Sequence, residues 1–232
     1  MANQIEKLFS DNKILASSLS HDIRTPMACL RFGIDAAIDT DNIEKKNNYI
    51  RRMDDELTRM EEMTEAFLEY ASLEKYSFHL RLKETNINDL LLSVGSDCST
   101  LAEKQNIKLI YNLPEQAVHH TVDFHWCYRA FQNLISNAVQ HAKSTIRISI
   151  LQKSHALYIN IEDDGDGIPI DKQKIIFEPF IKLDKDRARA QGHFGLGLAI
   201  TAKVINWHDA TISADYSKDL QGAKITICFP LN

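Results

Sequence analysis

The sequence predicts a multidomain chain of class α and α+β, in which a helical domain precedes an α/β sandwich. Three observations carry this. Between Ile5 and Tyr76, Gly33 is the only glycine and Pro26 the only proline, and apolar residues recur at helical spacing. After Tyr76 the period changes to short alternating runs separated by helical stretches. Those runs come mostly as consecutive strand pairs, which points to a largely antiparallel sheet with helices on one face. The change of texture lies near 76–83, so the expected domains are 1–78 and 79–232.

In the first helix Leu8, Leu15, Leu19, Met27, Leu30 and Ile34 fall near one stripe, with Ile23 beside it. "DTDNIEKK" interrupts the pattern. Asp41 and Glu44 have capping-box spacing, which starts a second helix near Asn42. Ile50, Met53, Leu57, Met60, Thr64, Phe67 and Ala71 then alternate by threes and fours, the mark of a bundle seam. One hairpin leaves such a stripe half covered, so a homodimeric four-helix bundle is expected.

The second part reads as a strand in "SFHLRLKE", a helix in "NINDLLLSVGSDCSTLAEKQN" loosened at Gly95, and a strand in "IKLIYNL". A helix from Trp126 to His141 leads to two paired strands, "TIRISILQ" and "ALYINIED". A charged, glycine-containing stretch runs from Asp163 to Gly197. A helix from Leu198 to Trp207 and the strands "ATISADY" and "AKITICF" close the chain.

Composition narrows the function. The 232 residues are 44% hydrophobic and 25% charged, as in globular protein. A net charge of −5 without a Lys/Arg block argues against nucleic acid as partner. Cys29, Cys98, Cys127 and Cys228 form no C-x-x-C pair and read as reduced packing residues. No apolar run approaches the ~20 residues of a membrane span. "MANQIEKLFSDNK" has no signal-peptide pattern, so the chain as given reads as cytoplasmic.

Four stretches could carry chemistry. In "SHDIRTP", His21 shares a helix face with Ser17, Ser18, Arg24, Thr25 and Ala28, opposite the apolar stripe. Asp22 can accept the ring N–H and make the other nitrogen more nucleophilic. Thr25, one turn on, can orient a water. Pro26 deletes a backbone bond at a cost of about 3 kcal/mol and bends the helix at this turn. In "RAFQNLISNAVQHA", Asn133 and Asn137 share a helix face; they can cap a neighbouring strand, or Asn137 can offer its carbonyl oxygen to Mg²⁺.

"EDDGDGIP" is either a polar turn or a flat-ligand site, where Asp163 accepts an exocyclic amine of adenine and the glycines admit the base. "GHFGLGLAI" sets Gly195 and Gly197 at a helix start, where free N–H groups can hold phosphate. It is neither a Walker nor a Rossmann loop. Between these stretches, Phe177 and Phe180 are expected to pack under a loop carrying Lys182, Arg187 and Arg189, which are solvated charges or phosphate contacts.

In this order the segments resemble the cytoplasmic core of a two-component sensor histidine kinase, within it the EnvZ/CpxA/RstB group. "SHDIRTP" resembles the H box, "QNLISNA" the N box, "DDGDGIP" the G1 box, "FEPF" the F box and "GLGLAI" the G2 box. "QGAKITICFP" resembles the closing strand. The resemblance implies a dimerisation and phosphotransfer bundle followed by a Bergerat-type ATP-binding sandwich. It makes His21 the phosphoacceptor, Asp22 its base and Thr25 the residue that positions water for dephosphorylating a partner. Asn133 and Asn137 match the magnesium and phosphate face, Asp163 the adenine ligand, and Gly165 and Gly167 the turn beside it. Phe177 and Arg187 fall in the nucleotide-facing segment, and Gly195, Leu196 and Gly197 match the lid hinge. His141, where several relatives have tyrosine, is assigned a nucleotide contact.

Two further departures stand out: Asp22 replaces a common Glu, and His193 occupies the first glycine's place in the G2 box. The implied cofactors are ATP and Mg²⁺, and the implied partners are a second copy of the chain and a response-regulator receiver domain. Full-length relatives are usually anchored in the bacterial inner membrane with this region in the cytoplasm. Two alternatives remain open at this point, a plain ATPase of the same nucleotide-binding fold and a pseudokinase scaffold. Against the first, Asn133 stands where such ATPases place a water-activating Glu.

Overall fold

The computed structural model describes residues 23–76, 79–181, 183 and 195–231. His21, Asp22, Lys182, Arg187, Arg189 and His193 lie outside them. The chain divides into two compact units, the first running to Glu69 and the second beginning at Tyr70.

The first unit is a helical hairpin. Helix α1 is described over 23–39, and α2 spans Ile43–Tyr76. The start of α2 is capped one residue later than the Asp41/Glu44 box predicts. Asn42 is the cap: its Oδ1 accepts the Lys45 N–H at 3.0 Å and its carbonyl accepts Lys46 N–H at 2.9 Å. Pro26, Gly33 and Ala37 are buried on α1, and Met63 on α2. Gly33 permits a close approach, since a Cβ there would come within 2.7 Å of Met53 Cγ.

The single seam expected on α2 is in fact two stripes. Met53, Met60, Met63 and Phe67 are half-buried or buried, whereas Ile50 and Leu57 are exposed. On α1, Met27, Ile34 and Ile38 are exposed too. One apolar face of each helix is thus used within the chain and a second face is left open.

The second unit holds the last turns of α2, where Tyr70 and Leu73 are buried, and the sandwich. Its elements are β1 (Leu82–Asn86), α3 (Ile87–Lys104), β2 (Lys108–Asn112), β3 (His119–Asp123) and α4 (Phe124–His141). There follow β4 (Thr145–Lys153), β5 (Ala156–Asp163), a short 3₁₀ turn (Ile175–Phe177), α5 (Gly197–Trp207), β6 (Thr211–Tyr216) and β7 (Ala223–Pro230). Five strands form a sheet in the order β2-β4-β5-β7-β6, in which only β2–β4 is parallel. β1 and β3 pair separately, antiparallel.

Alternation sets the core. Ile146, Ile148 and Ile150 of β4, Ile159 and Ile161 of β5, and Ile225, Ile227 and Phe229 of β7 are buried, as are Phe131, Leu134 and Ile135 of α4. Each such side chain contributes about 1.5–3 kcal/mol relative to exposure.

Three expectations need correcting. Strand β3 was not anticipated, because "HHTVD" lacks a strong apolar alternation. Helix α3 is continuous through Gly95; a Cβ there would overlap the Tyr111 hydroxyl, so the glycine serves packing rather than looseness. The cysteines are all free, but Cys29 is exposed and is no packing residue. Cys127 is buried, and burial, with Asp123 beside it, pushes its thiol well up.

A buried histidine braces the layer. His208 Nδ1 lies 2.8 Å from the Val204 carbonyl and must donate to it, so Nε2 is the bare nitrogen that accepts Asp123 N–H at 2.9 Å. Asp123 in turn caps α4 by accepting Trp126 N–H at 3.2 Å, which is why α4 begins before Trp126. No helix among the described residues is long and apolar enough to cross a membrane.

Candidate functional site

Most of the expected site residues fall on three adjoining parts of the sandwich. Asn133 and Asn137 lie on one face of α4, half-buried. Asn133 Nδ2 donates to the Gly197 carbonyl at 3.4 Å, and a Cβ on Gly197 would meet the Asn133 side chain at 3.7 Å. The two motifs are therefore neighbours although 64 positions separate them. The Asn137 amide takes no hydrogen bond among the described residues.

Gly195, Leu196 and Gly197 open α5. Gly195 adopts φ +70 in the left-handed region, where a side chain is strained, and a Cβ would also press on Ile181 O at 2.8 Å. Its carbonyl accepts Phe180 N–H at 2.8 Å. Phe180 itself has φ +65, an uncommon conformation for a bulky residue. Leu196 is buried and offers no side-chain cap, while its carbonyl accepts Ile200 N–H. Among the described residues, the first-turn N–H groups of α5 take no side-chain cap or other acceptor, as is usual at a helix start. Phe177, half-buried, ends the 3₁₀ turn beside buried Ile176.

The third part is the turn after β5. Asp163 is 6% exposed, and its Oδ1 accepts Gly165 N–H at 2.9 Å and Ala223 N–H at 3.1 Å. Both bonds go to one oxygen, and among the described residues Oδ2 takes no hydrogen bond. Burial raises the Asp163 carboxyl above its ordinary range, opposed by these two backbone bonds and by His141. His141 ends α4 with an exposed ring, and a Cβ on Gly165 would overlap its carbonyl. Gly167 adopts φ +76. The sandwich thus brings Asp163, Gly165 and His141 together, and joins Asn133 to Gly197. Thr25 stands half-buried on α1, in the other unit.

Two residues of the site escape a reading by motif. Asp164 latches the α4–β4 loop, accepting Lys143 N–H at 2.7 Å, Ser144 N–H at 3.0 Å and Ser144 Oγ–H at 2.6 Å. Burial pushes its carboxyl up, but the bonds from Ser144, Thr145 and Lys143 outweigh this and hold it at about 2. Gly222 presses on the G1 turn, where a Cβ would overlap the Asp163 carbonyl and lie 2.6 Å from Gly165 N. The signal for Asp164 was its place in "EDDGDG"; Gly222 gave no signal beyond its place in a closing strand.

Comparison with known proteins matches both units. Residues 11–75 match the His Kinase A (phospho-acceptor) domain, and 122–232 the histidine kinase-, DNA gyrase B-, and HSP90-like ATPase. Sensor protein RstB of Escherichia coli (strain K12) is 29% identical over 231 residues, covering 100% of this chain and 52% of its own length. Sensor histidine kinase WalK of Bacillus subtilis (strain 168) is 26% identical, covering 97% of this chain and 37% of its own. The chain thus spans about half, or less, of these relatives.

Among solved structures, histidine kinase ThkA in complex with response regulator protein TrrA superposes with a TM-score of 0.77 at 21% identity, over 98% of this chain and 64% of that one. Acinetobacter baumannii histidine kinase AdeS gives 0.68 at 20%, over 91% and 98%. At those identities the likeness is one of fold. A phospho-acceptor domain followed by this ATPase domain, with sensor kinases matching along the whole chain, makes the chain a member of the two-component sensor histidine kinases, whose catalytic core it spans.

Proposed function

We propose that the chain binds ATP in the sandwich, transfers its γ-phosphoryl group to His21, and passes that group to an aspartate of a response-regulator receiver domain. The carrying observation is the convergence of Asn133 on Gly197 and of Asp163, Gly165 and Gly222 on one turn. That arrangement supplies an amine acceptor for adenine at Asp163 Oδ2 and an open helix start for phosphate.

Asn137 would hold Mg²⁺ through its carbonyl oxygen, and the ion would neutralise charge on the phosphates. His141, Phe177 and Leu196 would line the nucleotide, and Arg187 would face its phosphates. An imidazole nitrogen of His21 forms the new N–P bond as the bond to the leaving ADP oxygen breaks, while Asp22 holds the ring N–H. Thr25 serves the reverse task, orienting water for hydrolysis of the phosphorylated regulator.

The working form is a homodimer. Exposed Met27, Ile34, Ile50 and Leu57 form a face that a second hairpin would cover, completing a four-helix bundle. The domains are 1–78 for phosphotransfer and 79–232 for ATP binding. In a full-length relative this core would hang in the cytoplasm from an inner-membrane anchor. That ThkA is described in complex with a response regulator supports a partner of the same kind here.

Incubation with γ-labelled ATP tests the reading. Self-labelling of the protein is expected. Phosphate release without label would point to a plain ATPase, and binding without either would point to a scaffold.

A further inference from the structure

The back of β5 carries a charge that the site does not use. Side chains alternate along the strand, so Asp163 shares a side with Ile159 and Ile161, and Glu162 lies on the other. Glu162 is only 5% exposed. Its Oε2 accepts from Arg147, with Nε at 3.0 Å and a terminal nitrogen at 2.9 Å, and its Oε1 accepts Ser217 Oγ–H at 2.8 Å. Arg147 also reaches Asp219 at 2.8 Å. A buried ion pair adds little stability over apolar packing, so the question is what this one holds in place.

It holds the turn between β6 and β7. Ser217 is 1% exposed; it donates its N–H to Gly222 O at 2.9 Å, and its Oγ accepts Leu220 N–H at 3.3 Å. Gln221 N–H returns to Ser217 O at 2.7 Å. The turn delivers Gly222 against the Asp163 carbonyl and Ala223 N–H to Asp163 Oδ1. Glu162 and Asp163, adjacent in sequence, therefore grip the same turn from opposite sides of the sheet.

We propose that Glu162 and Ser217 are positioning residues for base recognition. From the back of the sheet they fix the 217–223 segment, which holds Asp163 Oδ1 and so orients Oδ2 toward the exocyclic amine of adenine. This rests on the reading of Asp163 as the amine's acceptor. Neither residue touches the ligand side.

The test compares binding of ATP with that of purine riboside triphosphate, which lacks the amine, in the full chain. Wild type should prefer ATP by about 10–100-fold, the worth of one hydrogen bond to a charged group. Ser217→Ala and Glu162→Ala should each lower that preference to about threefold or less, with little change for the amine-free nucleotide. The double variant should fall no further than the singles, and Ser217→Thr should restore the preference. Equal losses for both nucleotides would mean a merely structural role and overturn the proposal. If Asp163→Asn abolishes the preference while Ser217→Ala and Glu162→Ala keep it, the back-face role fails alone. If Asp163→Asn leaves the preference intact, the reading of Asp163 fails and takes this proposal with it.

Discussion

The two units finish their hydrophobic burial in different ways. The sandwich closes on itself: Ile148, Ile159, Phe131 and Phe229 are fully buried by elements of the same unit. The hairpin does not, and leaves Ile34, Ile50 and Leu57 each about half exposed while Ala37 and Met63 are buried. A helix pair has too little of its own surface to cover two apolar stripes, whereas a sheet with a helical layer covers its inner face. The hairpin thus leaves an apolar face open that the proposed dimer would cover, whereas the sandwich buries its own core.

Substituting the open face should separate the two most sharply. Ile50→Glu with Leu57→Glu places charges on both copies of a seam where each apolar side chain is worth about 1.5–3 kcal/mol. The dimer should dissociate, its Kd rising by more than about a thousandfold in sedimentation, with ATP affinity unchanged. Parallel loss of ATP binding would break the comparison. The converse variant is Asp163→Asn. Loss of a charged acceptor worth about 1.5–3 kcal/mol should weaken ATP binding by about 10–100-fold in calorimetry and leave the dimer intact.

A smaller effect confines itself to the sandwich. Gly95→Ala drives a methyl into the Tyr111 hydroxyl and should cost about 1–3 kcal/mol. Both tryptophans, Trp126 and Trp207, pack edge to face in this unit at 5.4 Å, so their fluorescence during denaturant unfolding reports it alone. The smallest effect appears only in acid. Asp164 is held at about 2, below its ordinary carboxylate range of about 3.9. Its stabilisation is present above about pH 4 and lost as the pH falls towards 2. Asp164→Asn should flatten that limb of the sandwich's stability profile and leave hairpin helicity unaffected.

The sequence made legible what is periodic or local. The helices over 23–39 and 43–76, the strand pairs β4–β5 and β6–β7, and the glycine turns at Gly165 and Gly195 all lie within a few residues of the signals that announce them. Features made by contact across the fold were hidden. Nothing near Gly95 names Tyr111, and nothing near Ser217 names Glu162, its partner 55 positions earlier. The seam on α2 was found but its division was not, because periodicity marks apolar faces without saying how many helices cover them. Strand β3 exists through pairing with β1 rather than through its own composition.

The central claim is that one unit feeds the other: phosphate bound by the sandwich ends on the hairpin. Mapping the phosphorylated position by mass spectrometry at neutral pH, after incubation with ATP and Mg²⁺, tests it most directly. The account predicts acid-labile phosphate on His21 and none in the His21→Gln protein. Phosphate at any other position, or undiminished labelling of His21→Gln, would contradict it.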